Sequence, residues 1–87
     1  MRYSERAMKE VELYIQIKRL PEGVYLATSP DLPGFLAQGR TRTETIEFAK
    51  DIAEKMVESY REHLDQVPSS LYNSKRRPNS VGIRVRL

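Results

Sequence analysis

The 87 residues contain no cysteine, which excludes a disulfide framework, a thiolate zinc site and a thiol nucleophile. Only one histidine is present, His63, so a metal site would have to lean on carboxylates alone. No apolar run approaches the roughly 18 residues of a membrane span. The opening MRYSERAMKE also lacks the apolar stretch of a secretory signal. These absences lead us to expect a cytoplasmic protein with no membrane attachment. Length is short too. A domain of this size buries roughly 60% of its unfolded surface, which leaves room for one core but hardly for a deep private cavity. Oligomerisation is then a natural source of extra stability. Leu, Val, Ile and Phe make up about a quarter of the chain, above the roughly 20% level below which disorder is the better expectation.

What is present in quantity is charge. Fifteen basic and twelve acidic side chains leave a net +3, with an isoelectric point near 9.4. That value makes nucleic acid a partner worth testing. The charge is segregated along the chain, however, and the elements that carry it decide its meaning.

After a first ten residues that suit a short helix or a frayed end, Val11, Leu13, Ile15 and Ile17 alternate with polar neighbours, the period of a half-buried strand. Pro21-Glu22-Gly23 marks a turn into a second strand over Val24–Thr28. Pro30-Asp31-Leu32-Pro33-Gly34 breaks the extended run, because neither proline can donate to a ladder and Gly34 accepts a positive φ. A short strand, Phe35–Gln38, closes at Gly39. Thr41 and Glu44 form a T-x-x-E capping box. The period then becomes 3.6, with Ile46, Ala49, Ile52, Ala53, Met56, Val57, Tyr60 and Leu64 on one stripe, which predicts a helix from Arg42 to about Leu64. Residues 65–80 are rich in turn formers and read as a loop. Val81, Ile83, Val85 and Leu87 alternate with polar residues as a last strand. The expected fold is a single α+β domain over residues 1–87: a two-layer β-β-β-α-β unit with three antiparallel strands, a last strand parallel to the first, and one long helix on one face.

Opposite its apolar stripe the helix carries Glu47, Asp51, Glu54, Glu58 and Glu62. Glu54, Glu58 and Glu62 are like charges at i,i+4, mildly unfavourable to the helix itself. The stripe is either an ordinary solvated face or a docking face for a basic partner. Carboxylates pointing into water make a poor metal or acid–base site, so neither a metal nor a cofactor is expected. His63 has no orienting partner and reads as structural. Lys75, Arg76, Arg77, Arg84 and Arg86 crowd the C-terminal end with no acid among them, as would suit a nucleic-acid contact or merely a charged strand face. No nucleophile–base–orienter set is visible, so no catalytic residue is assigned and no enzyme is expected.

The run Leu26-Ala27-Thr28-Ser29-Pro30-Asp31-Leu32-Pro33-Gly34-Phe35, then Gln38-Gly39 and Thr41-x-x-Glu44, resembles the HicB-type antitoxins of bacterial and archaeal toxin–antitoxin pairs. The match runs through residues 24–64, and the flanking strands 11–19 and 81–87 suit the same topology. The resemblance implies a partial ribonuclease-H-like fold and a binding role: sequestering a small, basic, HicA-like toxin that cuts mRNA. Ribonuclease H enzymes carry acidic metal ligands beginning with an Asp on the first strand. Here no Asp precedes Asp31, and Glu12 alternates away from the apolar set, against nuclease activity. Many HicB-type proteins add a C-terminal DNA-binding module. The sequence stops at Leu87, so no such module is expected. The expectation is therefore a non-catalytic antitoxin that forms homo-oligomers. A DNA- or RNA-binding regulator using the basic C-terminal region is the alternative.

Overall fold

The computed structural model describes residues 10–63 and 66–87. The first nine residues, and with them the expected N-terminal helix or frayed end, lie outside that range, as do Leu64 and Asp65. Four strands form one sheet: β1 (Glu10–Arg19), β2 (Tyr25–Thr28), β3 (Leu36–Gly39) and β4 (Ser80–Arg86), in spatial order β3-β2-β1-β4. Helix α1 (Arg42–Glu62) covers one face, and a four-residue helix, α2 (Ser69–Tyr72), lies in the return segment. The α+β, helix-on-sheet architecture is as the periodicities require.

The period-two strands place Leu13, Ile15, Ala27, Ala37, Ile83 and Val85 on the helix-covered face, all buried. Helix α1 answers with Ala49, Ala53 and Val57 and with a fully buried Thr45. Ile46, Ile52, Met56 and Tyr60 pack at the margins of this stripe. Small residues along the centre let the helix backbone approach the sheet closely. At Gly39 the approach is tightest: a Cβ there would stand 2.9 Å from the Thr45 nitrogen.

The helix start is fixed by Thr41. Its Oγ1 accepts from the Glu44 N–H at 3.0 Å, while Glu44 Oε1 accepts from the Arg40 N–H at 2.7 Å, one residue before the cap rather than at the cap itself. Thr41→Ala is expected to cost about 1 kcal/mol, lowering the melting midpoint by roughly 4–8 °C for a domain of this size. A shift below about 1 °C in a thermal melt would show the cap to be dispensable.

One expectation is overturned. The last strand is antiparallel to β1, not parallel, with Glu10 opposite Arg86 and Gln16 opposite Ser80. The expectation rested on the usual parallel return of a strand after a helical crossover. Helix α1 begins beside Gly39 and has reached the Glu10–Arg86 end by Glu54, whose carboxylate accepts from the Arg86 N–H at 3.3 Å. The segment between Glu62 and Ser80 is long enough to travel back up the domain before entering β4. On the way it forms α2, which drops Leu71 fully into the core. Turn-forming residues had marked this segment as loop, and a single buried Leu was too little periodicity to reveal the helical turn.

Candidate functional site

The Pro30–Gly34 loop is two consecutive turns. Leu32 N–H reaches the Ser29 carbonyl at 3.4 Å, and Phe35 N–H reaches the Leu32 carbonyl at 3.0 Å. In the second turn Pro33 presets the first central position and Gly34, with φ +85°, occupies the second, as a type II turn demands. Together the turns bury Leu32 and Phe35 and hold the Asp31 side chain at 10% exposure.

Asp31 is the centre of the loop's polar contacts. Its Oδ2 accepts from Ser74 Oγ at 2.6 Å, from the Lys75 N–H at 3.3 Å and from Arg77 Nη1 at 3.1 Å, while Oδ1 accepts from Arg77 Nη2 at 3.3 Å. Its carbonyl accepts from Ser70 Oγ at 2.8 Å. The Arg77 guanidinium above all holds the Asp31 carboxyl below the ordinary carboxylate range; burial opposes the shift, and Ser74 and the Lys75 amide reinforce it. Arg77 is raised in turn by its bonds to Asp31.

The same serines complete β1 where β2 has turned away. Tyr14 N–H donates to Ser74 Oγ at 2.9 Å, and the Tyr14 carbonyl accepts from Ser29 Oγ at 2.9 Å. The Arg76 guanidinium then lies 5.5 Å from the Tyr14 ring centroid. A second type II geometry, Arg77-Pro78-Asn79-Ser80 with Asn79 at φ +63°, delivers the chain into β4. The sequence marked Pro30, Asp31, Leu32, Pro33 and Gly34 as a rigid bend. It did not reveal Ser70, Ser74 or Arg77 as the partners, because they lie some 40 residues further along the chain. The serine-rich stretch before a basic run is the only trace they leave.

Among the candidate contact residues, Glu47, Asp51, Glu58 and Glu62 are exposed on α1, and Glu54 is half-buried against β4. Asp51 pairs with Lys55 at 3.3 Å, both largely exposed. Glu47, Glu58 and Glu62 make no ion pair with a described residue. A shallow groove of about 360 Å³ runs between this flank and the end of β4, lined by Glu54, Val57, Glu58, Arg61 and Leu87 among others. The basic group is not brought together as one patch: Arg77 is bound to Asp31, Arg84 pairs with Glu10 at 3.4 Å, and Arg76 lies over Tyr14. His63 is the C-cap of α1, with its ring Nδ1 2.9 Å from the Ser59 carbonyl. Among the described residues no three His, Asp or Glu side chains gather as metal ligands, and no helix is long and apolar enough to cross a membrane.

A single sheet with one covering helix, charged surfaces and shallow grooves defines a small α+β domain of the kind that opens HicB antitoxins. The N-terminal domain of the Burkholderia pseudomallei antitoxin HicB superposes with a TM-score of 0.66 at 23% identity, covering 88% of this chain and 98% of that one. The longer B. pseudomallei HicB structure gives 0.65 at 23% identity, covering 88% of this chain and 63% of the other. No protein-family model matches the sequence. The curated antitoxin HicB 1 of Photorhabdus laumondii is 33% identical over 61 residues, 70% of this chain. In sequence and fold the chain is similar to the HicB-type antitoxins. Its matched part spans 39% of that relative's length.

Proposed function

We propose that the chain acts as the binding domain of an antitoxin, without catalytic activity of its own, holding a small, basic, HicA-like toxin in a complex in the cytoplasm. The observation that carries this reading is the likeness in sequence and fold to HicB antitoxins. The α1 carboxylates support it, because Glu47, Glu58 and Glu62 remain without an ion-pair partner among the described residues and so stay available to a basic protein. Long-range attraction of this kind chiefly raises the association rate and falls with salt.

Co-expression with the product of a neighbouring small open reading frame is expected to relieve its toxicity and yield a stable complex. Reversing Glu47 and Glu58 to Lys is expected to weaken that complex about tenfold at low salt, with the melting temperature unchanged. The absence of both rescue and complex would sink the antitoxin reading. Unchanged affinity would remove α1 from the interface.

The alternative, nucleic-acid binding through the basic C-terminal region, has fewer cations to draw on, since Arg77 already serves the buried Asp31 carboxylate and Arg76 lies over the Tyr14 ring. A salt-dependent gel shift weakened by reversal of Lys75 and Arg76 would favour it.

A further inference from the structure

The outer edge of β4 carries backbone groups that the domain itself does not use. Tyr14 directs its N–H and C=O toward the β2 side, onto Ser74 and Ser29. Gly82, directly opposite Tyr14, therefore directs its own away from β1, and the alternation of an antiparallel ladder does the same for Arg84 and Arg86. The Arg86 N–H confirms the parity, since it reaches outward to the Glu54 carboxylate. No described residue accepts from the N–H of Gly82 or Arg84. The strand has seven residues with no proline and no bulge, whereas the β3 edge has only four. An edge of this length without proline or bulge can template another strand, and the charge of Arg84 selects which strand it accepts.

A second feature sits over the same edge. Glu12 leans across Gly82, so that a Cβ there would lie 2.5 Å from its Oε2. The carboxylate makes no ion pair with a described residue, and it stands where a strand added beyond β4 would place the side chain facing Gly82.

We propose that the β4 edge pairs with the same edge of a second copy of this chain, antiparallel, about a two-fold axis at Ile83. In this register Gly82 and Arg84 of the second copy exchange N–H···O bonds, and the symmetry repeats the exchange. Each Arg84 guanidinium then faces the other copy's Gly82 and meets the Glu12 carboxylate waiting over it. On the helix-covered face Ile83 meets Ile83, and Val81 meets Val85, which are favourable β-branched cross-strand pairs. A two-fold at Arg84 would instead set Arg84 directly opposite Arg84, a destabilising like-charge pair. The same surface patch serves both copies, as a two-fold interface requires. Arg84's bond to its own Glu10 is long at 3.4 Å, and its side chain is 67% exposed, so it is free to reach across. The dimer does not depend on toxin binding.

The experiment combines sedimentation equilibrium of the isolated chain with hydrogen exchange and cysteine cross-linking. A dimer is expected, with the Gly82 and Arg84 amides gaining protection as concentration rises. Because the chain has no cysteine, single substitutions report register cleanly. Ile83→Cys should form an intermolecular disulfide on mild oxidation, and Arg84→Cys should do so far more slowly. Should Ile83→Cys unfold, mixed Val81→Cys and Val85→Cys proteins should cross-link to each other but not to themselves. Arg84→Pro removes an outward donor while leaving the ladder to β1 intact, and should raise the dissociation constant at least ~10-fold. Glu12→Gln should raise it several-fold with the fold unchanged. A chain that stays monomeric to about 1 mM overturns the proposal. So does a dimer whose Gly82 and Arg84 amides exchange as in the monomer, or a faster cross-link at Arg84→Cys than at Ile83→Cys. Protection of these amides only in a complex with a different protein overturns it as well.

Discussion

Asp31→Ala is expected to remove about 2–3 kcal/mol of folding free energy, read as a lower urea midpoint with an unchanged slope. The substitution takes the acceptor from Ser74 Oγ, the Lys75 N–H and the Arg77 guanidinium at once, in a site where the carboxylate is 10% exposed. The Arg77 side chain is already 35% exposed, so solvent takes over most of its share of the loss. The larger part comes from the half-buried Ser74 and Lys75 groups left without a partner. Asp31→Asn keeps an oxygen for them and is expected to lose about half as much. A pH series separates charge from shape. The folded carboxyl titrates below its ordinary value near 3.8, so its contribution is complete above that value and is lost as the pH falls through the lower folded one. Acid unfolding of the parent should therefore steepen below about pH 4, and that component should vanish in Asp31→Asn. A loss under about 0.5 kcal/mol in Asp31→Ala would show that the returning segment is held by Leu71 and the backbone contacts of Ser70 and Ser74, without the carboxylate.

The clamp at Asp31 also explains which parts of the molecule were legible in the sequence. Strand β1, helix α1 and strand β4 each announce themselves by an unbroken period, because half of each element is buried against the same core. The capping box and the PDLPG bend are local chemistry, complete within a few residues, and they emerge in place. Strand direction is different in kind. Whether β4 runs with or against β1 depends on where the segment after α1 is tied down, and the ties are hydrogen bonds from Ser70, Ser74 and Arg77 to a residue about 40 positions earlier. No periodicity records such a partnership. A statistical preference for parallel return then gave the wrong direction. The charge pattern behaved likewise. The acids at Glu47, Asp51, Glu58 and Glu62 are exposed on one helix, as spacing alone requires. The basic run looked like one patch only because its internal partners, Asp31 and Glu10, are distant in sequence.

Gly39→Ala is expected to cost about 2 kcal/mol, though the change adds a single methyl group. The reason is what that methyl meets. A Cβ at Gly39 would lie 2.6 Å from Thr45 Oγ1, 2.9 Å from the Thr45 nitrogen and 3.1 Å from its Cα. Two of these are backbone atoms of the first turn of α1, and the turn cannot retreat freely. Thr41 and Glu44 fix its N-terminus, Thr45 Oγ1 donates to the Thr41 carbonyl at 2.7 Å, and Ala49 and Ala53 keep the axis close to the sheet. Gly82→Ala is the informative comparison. Its Cβ would be closer still to one atom, 2.5 Å from Glu12 Oε2, but that atom ends a flexible side chain able to swing away, and the remaining close neighbour is the edge of the half-buried Tyr14 ring, at 3.0 Å, rather than backbone. The expected cost is below about 0.5 kcal/mol, offset by the better strand propensity of alanine. Adding Thr45→Ala to Gly39→Ala should recover only part of the loss, since it removes the Oγ1 contact and leaves the two backbone contacts. Urea unfolding of the three variants decides the matter. If Gly39→Ala matches the parent while Gly82→Ala does the damage, the tight seating of α1 on β3 is not what demands glycine at position 39.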